Sequence, residues 1–333
     1  MRFAVLGAGG WGTAVARLLA IAGHNTSLWA RRPDHAVEIA EARENAKYLP
    51  GVKLPDEGLA VTSSLESCLT DQVNDALFLA VPSFAIGDLL DRIKPLISAE
   101  ASLINLAKGL ERSTRRTVSE QIEARMPAAS AFALSGPSHA EEVGRDIPTA
   151  VVLAGKNLEL GERLQHAIAT RRFRVYLSGD IRGVELCAAL KNVIALATGI
   201  SDGLGYGDNS RGALITRGLS EMARFGYCLG IGEKTFFGLA GLGDLVATCT
   251  SEHSRNRYVG CRLGTGDSLE TILEEMSMVA EGVYATGIVC EMAREHGIEM
   301  PITEAVASLL AGEVDPKQLV ERIMTRSPKR EDN

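Results

Sequence analysis

Eight short apolar runs in the first half of the chain constrain the fold more than any other feature. They are RFAVLG (2–7), TSLWA (26–30), LAVTS (59–63), ALFLAV (76–81), SLINLA (102–107), AFALSG (131–136), TAVVLAG (149–155) and FRVYLS (173–178). Most are nearly continuous in apolar character, the pattern of strands buried on both faces of a parallel sheet. Helical patterns follow several of them, so this half is expected to form a doubly wound α/β domain with a mostly parallel sheet. Beyond Asp180 the strand signal stops. GVELCAALKNVIALATGI (183–200) reads as a long helix whose polar positions are chiefly Glu185, Lys191 and Asn192. A helix apolar nearly all round is a buried one. Further helical patterns at 212–229, 269–275, 285–296 and 302–311 make the second half an all-α domain. A chain of 333 residues has length enough for two cores, divided as 1–180 and 181–326, with SPKREDN (327–333) as a polar tail.

The first run enters a glycine turn, VLGAGGWGTAVA (5–16). Gly7, Gly9 and Gly12 form G-x-G-x-x-G between a strand and a helix, the context that gives this spacing its meaning. Gly7 permits the sharp turn, Gly9 lets backbone approach a pyrophosphate, and Gly12 allows close helix–strand packing. The helix start then attracts phosphate. Residues 1–180 are therefore expected to be a Rossmann-type dinucleotide-binding domain; the plainer reading is a structural glycine turn. An NAD site usually carries Asp or Glu at the end of the second strand, on the ribose 2′-hydroxyl. Here SLWARRPD ends in Arg31 and Arg32, with Asp34 displaced behind Pro33. Two guanidiniums suit a 2′-phosphate, which favours NADP(H) and leaves NAD(H) as the alternative. As solvated loop arginines they would carry no such preference.

Composition narrows the partners. The net charge is −7 with both signs interleaved and no basic stripe, which argues against nucleic acid. Six cysteines at 68, 187, 228, 249, 261 and 290 show no CxxC pair and no metal-like Cys/His spacing. No metal is expected, and the scattered thiols suit a reducing cytoplasm. MRFAVLG reads as a strand and not as a signal peptide, and no apolar run is expected to approach transmembrane length.

Lys191 sits mid-helix with Cys187, Ala188, Ile194 and Ala195 at i±3 and i±4, which offer no charge partner. Snorkelling to a cleft is the plainer reading; the sharper one is a proton donor for a carbonyl that receives a hydride. Asp244 in GLAGLGDLVATC supplies a carboxylate, with Thr248 one helical turn on. Taken alone, such an Asp is more often a helix cap. In SEHSRNRYVG, Ser254 reads as an N-cap with Arg255 and Asn256 on the first turn. Arginine is unfavourable there unless an anion occupies the helix end. In SGPSHAEEVG, Ser138 and Glu141 form an expected capping box and Gly144 ends a short helix. Lys108, after the run at 102–107, is placed to reach the same strand ends.

Taken together, GAGGWGTAVA, NLAKGL, LSGPSHAEE, LKNVIALATGISDGLGYGDNSRGALITRGL, GLGDLVATCTSEHSRNR and MVAEGVYAT strongly resemble the bacterial-type NAD(P)-dependent glycerol-3-phosphate dehydrogenases, in order and over nearly the whole chain. The resemblance implies reversible reduction of dihydroxyacetone phosphate to sn-glycerol 3-phosphate, the backbone precursor of phospholipids. It implies Lys191 as catalytic acid/base with Asp244 beside it. Lys108, Gly136, Ser138, Lys191, Asp244, Ser254, Arg255 and Asn256 match substrate-pocket positions. Gly10, Trp11, Arg31, Arg32, Lys108, Ala140, Arg255, Val279 and Glu281 match positions lining the cofactor. Val279 and Glu281 carry no chemical signal of their own; VAEGVYA reads as an ordinary loop entering a helix. The family commonly has Phe where this chain has His139. A homodimer is one open assembly, and the sequence does not fix the oligomeric state. Two rivals stay open: another two-domain dehydrogenase acting on a hydroxyacid or sugar phosphate, and a non-catalytic NADPH-binding sensor.

Overall fold

The computed structural model describes residues 1–70, 74–276, 278–325, 327 and 330. The expected polar tail therefore lies outside the described residues except at 327 and 330. Met1–Ala188 together with Phe237–Asp244 form one compact unit, and Ala189–Phe236 with Leu245–Asn333 form another.

The first unit is built on β1 (Arg2–Leu6), β2 (Asn25–Trp29), β3 (Leu59–Thr62), β4 (Ala76–Leu79), β5 (Ser102–Asn105), β6 (Ser130–Ser135), β7 (Thr149–Gly155) and β8 (Phe173–Ser178). They form one sheet in the order β3-β2-β1-β4-β5-β6-β7-β8. Every pairing is parallel except β6 with β7. Each of the eight expected runs is a strand. Both sheet faces are buried, and the register shows how: Phe3 and Val5 enter one apolar cluster while Ala4 and Leu6 enter the other. The helices are α1 (Gly10–Ile21), α2 (Pro33–Ala42), α3 (Leu65–Thr70), α4 (Ile86–Ile93), α5 (Val118–Arg125), α6 (Ala140–Gly144) and α7 (Leu158–Ile168). Local chemistry starts several of them: Thr117 and Glu120 form a capping box on α5, and the Asn157 side chain accepts the Leu160 amide on α7. The strand order reverses at β1, flanked by β2 and β4, the switch point where open α/β sheets bind ligands beyond their strand ends.

Beyond β8 the described residues contain no further strand. They form α8 (Ile181–Gly203), α9 (Asp208–Cys228), α10 (Glu233–Phe237), a π-helical turn (Leu239–Gly243), α11 (Asp244–Thr250), α12 (Arg255–Thr265), α13 (Leu269–Glu275), α14 (Glu281–Glu295), α15 (Pro301–Leu310) and α16 (Pro316–Met324). All the helices expected from periodicity are present, and α10 and α16 are additions. The expectation about transmembrane length meets one exception. By length and composition α8 would pass for a membrane span, with a mean hydropathy of 1.5 over its apolar window. That window is entirely buried inside the protein, so its apolarity is spent on packing.

Four glycines fix how α12 lies on α8. A Cβ on Gly199 would stand 2.1 Å from the Arg257 carbonyl oxygen, and one on Gly203 would stand 2.2 Å from that of Cys261. In return, Cβ atoms on Gly260 and Gly264 would stand 2.2 and 2.4 Å from the carbonyl oxygens of Leu196 and Ile200. The two backbones touch, and only hydrogen at these positions permits it. Asp202 braces the same junction, accepting from Arg257 Nε at 2.7 Å and Arg211 Nη2 at 2.8 Å.

Candidate active site

In the first unit the candidate groups gather at the carboxyl ends of parallel strands. Gly7 follows β1 with φ +129°, and a Cβ there would strike the Ala80 carbonyl oxygen at 2.5 Å. Gly12 lies against Gly7, its missing Cβ only 2.0 Å from the Gly7 carbonyl oxygen. These two hold the turn against strand and helix. Gly9 differs: it is the N-cap of α1, and a Cβ there would meet nothing within 4 Å. The first turn of α1 carries no acidic residue and no side-chain cap, so its amides and dipole suit an anion. Beside it the Trp11 indole N–H is buried with no hydrogen-bond partner among the described residues. A buried donor left unmet is costly, and an acceptor on a bound group would satisfy it. These features fit a dinucleotide. Gly10 and Ala140 adjoin, the missing Gly10 Cβ lying 3.5 Å from the Ala140 Cβ.

Arg31 and Arg32 follow β2 and are exposed, Arg32 serving as N-cap of α2. Asp34 lies in the first turn of α2, 4.0 Å from Arg32 Nε and well exposed, so β2 ends without a carboxylate of its own.

Lys108 follows β5. Its Nζ donates to the Gly136 carbonyl oxygen at 3.0 Å and to Asp244 Oδ2 at 2.9 Å, with the Asp244 side chain only 3% exposed. Asp244 closes the π-helical turn and opens α11. Ala240 of that turn packs with Ile181 and Val184 on Ala133 and Ala154 of the sheet, which seats the carboxylate beside the strand ends. Gly136 has φ +142° and follows β6. The expected capping box is not formed: the N-cap of α6 is His139, without a side-chain cap, and the Ser138 hydroxyl donates to the Gly136 carbonyl at 3.0 Å. The turn at Gly136 brings that carbonyl within reach of its own loop, and the hydroxyl takes the nearer acceptor. Gly144 ends α6 as expected.

In the second unit Lys191 is 4% exposed, and its Nζ donates to the Thr248 hydroxyl at 2.6 Å. Ser254 is the N-cap of α12 and its hydroxyl accepts the Arg257 amide. Asn256 is buried as a brace: its Nδ2 donates to Asn192 Oδ1, and its Oδ1 accepts the Gly282 amide, each at 2.9 Å. It ties α8, α12 and the start of α14 together. The Arg255 Nη1 donates to the Val279 carbonyl at 2.9 Å, which joins two expected cofactor positions; Glu281 opens α14 two residues on. Sequence reasoning passed over the brace partners Asn192 and Gly282. The polar Asn192 in an apolar helix was the available signal.

A glycine turn at a sheet switch point, followed by a helical unit with a buried lysine, defines a two-domain nicotinamide-dinucleotide oxidoreductase class. Residues 2–161 match the NAD-dependent glycerol-3-phosphate dehydrogenase N-terminus and residues 180–321 its C-terminus. The chain is 46% identical to glycerol-3-phosphate dehydrogenase [NAD(P)+] of Chlorobium limicola across 99% of both chains. It is 47% identical to that of Geobacillus kaustophilus, over 98% of this chain and 95% of the relative. Among solved structures, the glycerol-3-phosphate dehydrogenase of Coxiella burnetii superposes with a TM-score of 0.93 at 42% identity, covering 98% of this chain and 99% of that one. This chain belongs to the NAD-dependent glycerol-3-phosphate dehydrogenase family.

Proposed function

We propose that this protein interconverts dihydroxyacetone phosphate and sn-glycerol 3-phosphate with a nicotinamide dinucleotide, supplying the glycerol backbone of phospholipids. The observation that carries the reading is Lys191, an ammonium buried in an apolar helix and held by the Thr248 hydroxyl at 2.6 Å. The dinucleotide, when bound, supplies the hydride to the ketone carbon. Lys191 Nζ gives its proton to the carbonyl oxygen and stabilises the negative charge that develops there first. In the reverse direction the amine takes the hydroxyl proton. Thr248 accepts one N–H of the ammonium and so aims the others. Lys108, oriented by Gly136 and Asp244, binds in the first unit. Ser254, Arg255 and Asn256 hold the phosphate at the start of α12, where helix dipole and guanidinium both favour an anion.

NADP(H) is the favoured cofactor because Arg31 and Arg32 stand exposed after β2 and no carboxylate ends that strand. Residues 1–180 serve as the dinucleotide domain and 181–326 as the substrate and catalytic domain. The working form is a cytoplasmic homodimer; all six cysteines being thiols supports a reducing compartment. Turnover of dihydroxyacetone phosphate with NADPH and with NADH tests the reading directly. Neutralising Arg31 and Arg32 together should raise the KM for NADPH about tenfold more than that for NADH, the scale of one charged hydrogen-bonding contact. Equal losses for both cofactors would remove the 2′-phosphate contact, and absence of any turnover would remove the activity.

A further inference from the structure

Glu185 is 3% exposed near the start of α8, and the mechanism above leaves it without a task. Its carboxylate gathers donors from two other elements of the first unit. Oε1 accepts Asn105 Nδ2 at 2.8 Å, and Oε2 accepts the Ser119 hydroxyl at 2.5 Å. The Ser119 amide, in the first turn of α5, points at both oxygens at 3.1 and 3.2 Å. Asn105 is the last residue of β5, and its side chain closes a ring on the chain two residues ahead. Its Oδ1 accepts the Ala107 amide at 2.7 Å, while Nδ2 also donates to the Ala107 carbonyl at 3.2 Å. Every polar atom of the Asn105 amide is thus engaged, and the next residue is Lys108. The regular strand β5 ends at Asn105, two residues before the end of the apolar run.

We infer that Glu185 is a positioning residue for Lys108: through Asn105 it locks the backbone at Ala107 and so sets the ammonium on the Gly136 carbonyl and Asp244. The inference rests on the proposed ligand-binding role of Lys108. A lysine side chain has four rotatable bonds, so its head group is placed well only if its root is fixed. Glu185 can fix it because one oxygen holds Asn105 while the other is held by α5, a helix seated in the apolar cluster through Val118 and Ile122. Burial pushes the Glu185 carboxyl up to about 7, against the opposing pull of its hydrogen bonds from Ser119, Thr117 and Asn105. Ionised, it draws all these donors inward.

The test is a set of double-mutant cycles on the dinucleotide-dependent reaction, assayed at about pH 8, above the Glu185 titration. Glu185→Gln presents an amide N–H to the donors of Asn105 and Ser119. Asn105→Ala cuts the link to Ala107 yet leaves Glu185 on α5, so it reads the clamp even if the first variant folds poorly. Each should raise the KM for dihydroxyacetone phosphate or NADPH about tenfold, the loss of one charged hydrogen bond, with kcat changed less. In a Lys108→Met background either change should add less than about twofold, because the residue it positions is gone. Equal factors in both backgrounds would make Glu185 a structural group only and overturn the inference, as would an unchanged KM in Asn105→Ala. If Lys108→Met alone leaves kcat and KM untouched, the binding role assigned to Lys108 falls first and the inference with it.

Discussion

Gly9 in the first unit faces open space, whereas Gly260 in the second stands against the Leu196 carbonyl oxygen, where a Cβ would come to 2.2 Å. The contrast extends to the charges. The first unit presents backbone amides, carbonyls and loop side chains at strand ends, and its glycines either make the turn or leave room for a ligand. The second unit sets Lys191, Asn192 and Asn256 inside packed helices, and its glycines bring two backbones into contact where Asn192 and Asn256 meet. A site at strand ends is supported by a sheet that would form without it. A site inside a helix pair exists only if the pair packs to within a few tenths of an ångström.

The largest test of that difference is Lys191→Ala. It removes a buried ammonium from the second unit and should cut kcat by about 10²- to 10⁴-fold, the range of general acid catalysis, while NADPH binding to the glycine turn persists. A folded variant that keeps more than about a tenth of the wild-type kcat would take Lys191 out of the proton-donor role.

Glycine substitutions address the packing itself. Gly260→Ala should cost on the order of 3 kcal/mol of thermal stability, since the clash is with backbone that no rotamer relieves. Gly9→Ala should change stability by less than about 0.5 kcal/mol and act instead on NADPH affinity. Similar melting temperatures for the two variants would erase the distinction between the units.

Each unit also buries one glutamate whose carboxyl is held up at about 7, against an ordinary value of 4.5. For both Glu185 and Glu221 desolvation is the first cause. The Ile302 and Thr303 amides oppose it at Glu221, whose carboxylate caps α15. With the native value raised, the folded state binds the proton more tightly than the unfolded chain does. The resulting stability is full below about pH 4.5 and is lost as pH rises through about 7, by up to about 3 kcal/mol per group. Urea unfolding across that window should show the decline, and Glu185→Gln and Glu221→Gln should each flatten it. A slope unchanged in both variants would assign the decline to other groups.

A smaller effect than that of Lys191→Ala concerns the phosphate. Arg255→Ala should lower kcat/KM for dihydroxyacetone phosphate by at least about thirtyfold at saturating NADPH, the lower end of the range for truncating a charged pair. The phosphate-free ketone should be affected much less. Equal losses with both substrates would show that Arg255 serves the Val279 loop alone, where its Nη1 is anchored.

How much of this was legible in the sequence follows the same divide. The glycine turn, the eight strands and the Ser254 cap were readable because backbone sterics and capping act over a few residues. The local reading failed at Ser138, where a capping box was expected. The hydroxyl prefers the Gly136 carbonyl, an acceptor that the left-handed conformation of Gly136 brings near. Lys191 could be singled out as an oddity in an apolar helix, but nothing local named Thr248 as its partner.

By itself, then, the sequence determined which segments become strands and helices, that both sheet faces are buried, where a glycine turn leaves an uncapped helix start facing open space, and which lysine is out of place. Periodicity and turn chemistry carry these decisions along the chain, residue by residue. The tertiary structure alone decided what each polar group meets: Lys191 with Thr248 across 57 residues, Asn192 with Asn256 across 64, Asn105 with Glu185 across 80, and Lys108 with Asp244 across 136. Over such separations chain connectivity imposes no geometry. The pairs are set by how closely backbones pack, and a buried donor or acceptor then takes whatever partner that packing brings within about 3 Å.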